Sequence, residues 1–488
     1  MGWVRDILPS GGSMSHQAKL SQSKRAGESQ PKSVPVKPVG EELSIVHPNA
    51  GGLDLSSEEI WVCVPADRDP EPVRAFGTFT PDLHALVNWL LQCKVDTVAM
   101  ESTGIYWIPI YELLEAHGIK PYLVNARHVK MVPGRKTDVL DCQWLQKLHR
   151  LGLLSGSFRP DAEMVALRTY LRHRAELIER RAPSILHMQK ALLQMNLQLT
   201  QVLTDITGLT GLKIIRAIVA GERDPQRLAA FRETRCQSSQ EEIAKALTGT
   251  WKPEYVFVLK QSLEGYDFCT QQVAACDVEI EHLYATFKPR WDAPEVIPDL
   301  PRLKPNSRIK NQPAGNVRQA VFQVVGVDLT AIDGLNAASV QTILAEIGTD
   351  MSAWPTVKHF ASWLTLAPHN DISGGRVLRS RTLKSNNRAR QAFRQAAESV
   401  ARSDNAFGAF YRRKRAQYGP KVAIVATAHK IARVVYFMLK HRVPYEAVKA
   451  EEYEAKHRER ELNRLKRQAA HLGYSLTPSP SEAQPASI

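Results

Sequence analysis

The sequence predicts a multidomain fold, an α/β domain followed by helical ones, on three observations. At 488 residues the chain exceeds what one ordinary core holds. Three strand-like segments open the stretch from 43 to 160 and give way to alternating helix and strand. From 161 onward apolar residues recur mainly at helical spacing.

Taken in order, residues 1–42 are rich in Ser, Pro, Lys and Gly and read as a disordered basic leader. Gly52-Leu-Asp-Leu and Ile60-Trp-Val-Cys-Val read as strands joined by the polar Ser56-Ser-Glu-Glu, and Val73-Arg-Ala-Phe-Gly-Thr-Phe as a third strand. Thr80-Pro-Asp starts a helix with Pro81 in its first turn, and Leu83, Leu86, Val87, Leu90 and Leu91 keep helical spacing. Asp96-Thr-Val-Ala-Met is the next strand, Ile110 to His117 a helix closed by Gly118, and Pro121-Tyr-Leu-Val-Asn another strand, with helices from about Ala126. Three consecutive strands followed by helix–strand alternation is the order of an RNase H-like domain, here 43–160, and not of a doubly wound nucleotide-binding fold.

Residues 161–287 carry a rough apolar stripe, Leu167, Leu171, Ile178, Ile185, Met188, Leu192 and Met195, and a second amphipathic stretch from about Glu254 to Phe287. They read as a long helical or coiled-coil insertion, with Pro183 interrupting or kinking the first helix. An ordinary bundle and an oligomerising coiled coil fit equally well. Six prolines between Lys288 and Gly315 mark 288–316 as a linker. In 317–450, Gly334 and Gly348 bracket a helix, as in hairpins whose main-chain N–H groups reach phosphate oxygens. Arg388 to Val400 and Val422 to Leu439 read as further helices. Residues 451–488 read as a charged helix and a disordered Ser/Pro-rich tail.

Composition narrows the function. Hydrophobic residues form 43% of the chain, enough for globular cores. No run of eighteen apolar residues occurs and the amino terminus has no apolar signal core, which points to a cytoplasmic protein without a membrane partner. The six cysteines form no CxxC pair, and Cys63, Cys93 and Cys142 fall in apolar segments, as buried reduced thiols do. A net charge of +14 suits a polyanionic partner. It is concentrated: Arg376 to Arg415 holds twelve Lys/Arg against Glu398 and Asp404.

Four acids stand out by position. Asp54 lies in the first strand, Glu101 ends the Thr97-Val-Ala-Met strand, and Asp138 and Asp141 are three apart on one helical face. In an RNase H-like sheet the first strand is central and the Glu101 strand lies beside it. Such clustering is repulsive without cations, so it makes sense as a site for one or two Mg²⁺ (or Mn²⁺) in phosphoryl transfer. Singly, Asp54 also fits a turn and Asp138 an N-cap. Arg135 and Lys136 suit a phosphate-facing rim or a solvated loop. Ser373 precedes Gly374 and Gly375, with Arg376, Arg379, Arg381, Lys384 and Arg388 following. A serine so placed can attack a phosphodiester while arginines offset charge on phosphorus; Ser-Gly-Gly by itself is more often just a turn.

The chain resembles the DEDD-type insertion-sequence transposases over about residues 45–450. The marks are Gly52-Leu-Asp-Leu, Met100-Glu-Ser-Thr-Gly-Ile-Tyr-Trp, Gly134-Arg-Lys-Thr-Asp-Val-Leu-Asp, Ile332-Asp-Gly-Leu, Leu366-Ala-Pro and Ile372-Ser-Gly-Gly. The resemblance implies a RuvC-like amino-terminal domain before a helical, serine-bearing transposase domain. It implies that Asp54, Glu101, Asp138 and Asp141 bind metal and that Ser373 is the nucleophile. It further implies donor and target DNA, an element-encoded bridge or seeker RNA, and dimers pairing into tetramers in which one subunit's acids complete another's serine site. The expectation is thus a nucleoid-associated site-specific recombinase. The rivals are a RuvC-like nuclease acting on branched DNA by water attack, and a non-catalytic nucleic-acid-binding protein.

Overall fold

A computed structural model describes residues 44–102, 104–125, 138–303 and 310–477. The expected leader and the end of the Ser/Pro-rich tail lie outside the described residues. The chain divides between Arg159 and Pro160 into two compact units.

The first unit is built on five strands: β1 (Ala50–Leu55), β2 (Glu59–Cys63), β3 (Val73–Gly77), β4 (Thr97–Glu101) and β5 (Lys120–Val124). Their order is β3-β2-β1-β4-β5. The first three are joined antiparallel by short connections, while β4 and β5 run parallel to β1. Helices α1 (Thr80–Gln92) and α2 (Trp107–Ala116) supply the crossovers that parallel strands require. Pro81 opens α1 as expected, and Gly118, at φ 76°, follows the end of α2. A mixed sheet in this order with flanking helices is compatible with an RNase H-like fold.

The two faces of the sheet do different work. Leu53, Leu55, Ile60, Val62, Val98 and Met100 project into a core with Leu86, Leu90, Ile110 and Leu114 from α1 and α2. The opposite face receives α3 (Asp138–Arg150), through Ala99, Val124 and Leu145. Gly52 sets how closely α3 lies. A Cβ there would stand 2.3 Å from the Cys142 carbonyl oxygen and 2.4 Å from the Gln146 nitrogen. Gln146 donates to the Ala50 carbonyl at 3.2 Å, and His149 Nε2 lies 2.9 Å from Thr97 Oγ1. Burial pushes the His149 imidazole down to about 4, so it sits neutral against the sheet. Gly52→Ala is expected to cost about 1–3 kcal/mol, the usual range for overpacking. The measurement is the denaturation midpoint; an unchanged midpoint would mean that α3 yields freely.

The second unit begins with two long antiparallel helices, α4 (Ala162–Gln194) and, after intervening short helices, α9 (Pro253–Thr286). The short helices are α5 (Leu199–Val202), α6 (Leu209–Val219), α7 (Pro225–Ala229) and α8 (Gln240–Ala246), and their core closes on Met188, Leu192, Leu259 and Leu263. Pro183 does not interrupt α4, which runs on through it. The apolar stripes pair α4 with α9 inside one chain, fixed by a buried ion pair in which Arg174 Nε donates to Asp277 Oδ1 at 2.7 Å. The proline-rich stretch is held within this unit: Arg290 bonds Asp161, Glu163 and Thr349, and Trp291 Nε1 donates to the Gln323 carbonyl at 3.1 Å.

Beyond it lie α10 (Val317–Val325), α11 (Ala337–Ile347), α12 (Val357–Trp363), a two-stranded ribbon of β6 (His369–Ser373) and β7 (Arg376–Arg381), then α13 (Arg388–Ser399), α14 (Ala406–Tyr418), α15 (Pro420–His441) and α16 (Ala450–His471). α15 is long and apolar enough to cross a membrane by length and composition, yet most of that stretch is buried within the unit. Gly334 has a packing role. A Cβ there would stand 2.7 Å from the Ala396 carbonyl oxygen and from Val400 Cγ1. This glycine lets the turn before α11 close on α13. The six cysteines are free, with Cys63, Cys93, Cys142 and Cys276 buried.

Candidate active site

Alternation along β1 decides where Asp54 points. Leu53 and Leu55 enter the core under α1 and α2, so Asp54 shares the α3 face with Gly52. The parallel ladder between β1 and β4 runs through Leu53 opposite Met100, so Asp54 and Glu101 come next in step at the carboxyl ends of adjacent strands. Asp141 lies in the first turn of α3, directly before Cys142, whose carbonyl sits over Gly52. The Cys142 thiol is pushed up to about 12, first by burial, then by the nearby Cys63 and the negative charge of Asp54. Asp54, Glu101 and Asp141 are each half-buried.

Three of the four acids thus occupy one end of one sheet face. Asp138 is the first residue of α3, but its side chain lies outside the described residues, as do Arg135 and Lys136. Among the described residues no three His, Cys, Asp or Glu side chains converge closely enough to hold a metal ion. The chemistry of the donor set still fits a hard divalent cation: it is all carboxylate oxygen, two of its members stand in step on neighbouring strands, and a glycine admits the helix carrying the other two.

Ser373 lies in the second unit, as the last residue of β6. Gly374 and Gly375 close the ribbon with φ 55° and 74°, the left-handed conformations of a two-residue hairpin turn. Neither is there for room, since a Cβ at either would meet nothing within 4 Å. Ser373 pairs with Arg376 across the ladder, and every residue of both strands is exposed. Arg379 and Arg381 follow on β7, Lys384 is exposed in the extended segment after it, and the half-buried Arg388 opens α13. Not all of the basic stretch faces solvent. Arg390 is buried, and Arg413 is turned to Glu454 and the Tyr453 hydroxyl.

The ribbon is absent from the elements expected from sequence, where Ser-Gly-Gly stands only as a turn. A Gly-Gly pair between Asn370-Asp-Ile-Ser and Arg376-Val-Leu-Arg was the available signal. His369 and Asp371, not among the residues singled out from sequence, contact each other on the ribbon at 3.4 Å.

Comparison with protein families gives two matches in chain order. A family described as transposase matches residues 51–197, and one described as transposase of the IS116/IS110/IS902 family matches residues 328–412. A comparison with curated proteins finds no match. The first match spans Asp54, Glu101, Asp138 and Asp141, and the second spans the Ser373 ribbon.

Proposed function

Because the chain belongs to the IS110 family of transposases, we propose that it is a site-specific DNA recombinase that cuts and rejoins DNA through Ser373, assisted by a divalent metal. The observation that carries this reading is the placement of Asp54 and Glu101 in step at the carboxyl ends of β1 and β4, with Asp141 on the helix packed beside them. Two carboxylates side by side repel unless a cation offsets their charge. Asp54, Glu101, Asp138 and Asp141 would hold Mg²⁺ or Mn²⁺. Such an ion supplies charge to phosphate oxygens and lowers the proton affinity of an attacking hydroxyl.

The chain's own residues do the rest. Ser373 presents its hydroxyl to phosphorus from an exposed turn, and the arginines of β7 offset charge on the phosphate oxygens. Donor and target DNA are the substrates, and Arg135, Lys136, Gly374, Arg376, Arg379, Arg381, Lys384 and Arg388 are proposed to contact nucleic acid. A guide RNA and a homo-oligomer, dimeric and then tetrameric at synapsis, complete the proposed complex. Size measurement in solution with and without the element's transcript tests both; a monomer that ignores the RNA would remove them.

The deciding experiment is excision from a plasmid carrying the element's ends, with Mg²⁺ and the transcript supplied. Recombination yields rejoined DNA; a nuclease acting through water yields linear products with hydrolysed ends, and that outcome would overturn this reading. Binding should also weaken steeply with salt, because Lys and Arg displace counterions from phosphates. Arg379→Gln, Arg381→Gln and Arg388→Gln together should reduce the slope of log affinity against log salt by up to about 3, near one per lost contact. An unchanged slope would place the DNA elsewhere.

A further inference from the structure

The ladder register divides the β6–β7 ribbon into two faces of different chemistry. Residues alternate along each strand, and partners across the ladder share a face. His369, Asp371 and Ser373 therefore share a face with their partners Arg381, Arg379 and Arg376. Asn370 and Ile372 share the other with Ser380 and Val377. The 3.4 Å contact between His369 Nδ1 and Asp371 Oδ1 agrees with that division.

Plain alternation would not place the arginines together. Arg376 and Arg379 are three apart, an odd spacing that puts two residues of a regular strand on opposite faces. The register shifts between Asp371 and Ile372, from Arg379 to Val377, which leaves Leu378 as an extra residue outside the ladder. That one residue returns Arg379 and Arg381 to the side of Ser373. Among the described residues no ion pair engages Arg376, Arg379 or Arg381, and all three are exposed.

We infer that this face is a one-sided phosphodiester clamp, in which Arg376 and Arg379 hold the non-bridging oxygens of the phosphate that Ser373 attacks. The inference rests on Ser373 being the nucleophile and adds which guanidinium groups act with it. Arg376 is its direct cross-strand partner. Arg379 is its diagonal neighbour, roughly 7–8 Å away and within reach of so long a side chain. In the exchange a bond forms between Ser373 Oγ and phosphorus, and one phosphorus–oxygen bond to deoxyribose breaks. The deoxyribose oxygen keeps that electron pair and ends with the proton lost by the serine. Guanidinium donors fixed on the attacking side offset the charge that gathers on the remaining oxygens.

The test moves a charge across the ribbon without changing composition. In the double variant Arg379→Ser with Ser380→Arg, one guanidinium passes to the Ile372 face while net charge and length stay the same. The probe is a 5′-labelled duplex carrying the element's joined ends, with its transcript and Mg²⁺, and the readouts are DNA affinity and the single-turnover rate of covalent protein–DNA adduct formation. Affinity should stay within about threefold, since phosphate contacts are spread over many cations. The adduct rate should fall about 100-fold, the scale of a lost oxyanion donor. Deleting Leu378 leaves a regular ladder with the same partners and should keep the rate within about threefold of wild type. A swap variant reacting at the wild-type rate while Ser373→Ala is inert would overturn the clamp, as would a Leu378 deletion as damaging as the swap. Adduct formed by Ser373→Ala would instead remove the nucleophile, and the clamp with it.

Discussion

Ser373→Ala is expected to bind DNA like wild type, form no covalent adduct and yield no recombinant product, a loss of at least about 1,000-fold on the scale of a removed nucleophile. Ser373 ends a fully exposed strand and contributes nothing to a buried core. Removing its hydroxyl should therefore leave fold, ribbon and arginines unchanged, so that any loss belongs to chemistry. Ser373→Cys keeps a nucleophile at the same place, but a phosphorus–sulfur link suits the reverse step poorly, and only a trace of product is expected. The measurement is a denaturing gel of labelled DNA with and without protease. A slow, protease-sensitive band from wild type alone supports the nucleophile. Equal cleavage by Ser373→Ala, with no such band from either protein, would assign the reaction to activated water.

The first unit was largely legible because its periodicities are local. Val98 and Met100 alternate with Thr97 and Ala99, Pro81 marks a helix start, and the strand-first order limits the topology to a few choices. Asp54 and Glu101 could be nominated from their strands alone, but their step-for-step placement needed the ladder. The second unit was less legible. An apolar stripe says that a helix is covered and not by what, and within the chain α9 covers much of α4. Gly334 shows a similar limit. A glycine needed for packing on α13 and one needed for approach to a phosphate look identical in sequence. The ribbon was missed because its residues are exposed on both faces, so no hydrophobic alternation announces it. Its bulge lies beyond pattern reading altogether, since Leu378 is distinguished only by what it fails to pair with.

Asp54→Ala and Glu101→Ala are each expected to abolish strand cleavage, by on the order of 1,000-fold, while DNA affinity is retained. Several kcal/mol of transition-state stabilisation lost with the metal corresponds to that factor. Stability gives a readout that does not depend on turnover. Asp54→Asn removes one charge and keeps the side chain's shape. In wild type, millimolar Mg²⁺ binding only the folded state should raise that temperature in proportion to the logarithm of concentration above the dissociation constant. Asp54→Asn should lose most of that rise. Cleavage that survives in EDTA, or a Mg²⁺-dependent rise that is equal in both proteins, would detach the metal from Asp54.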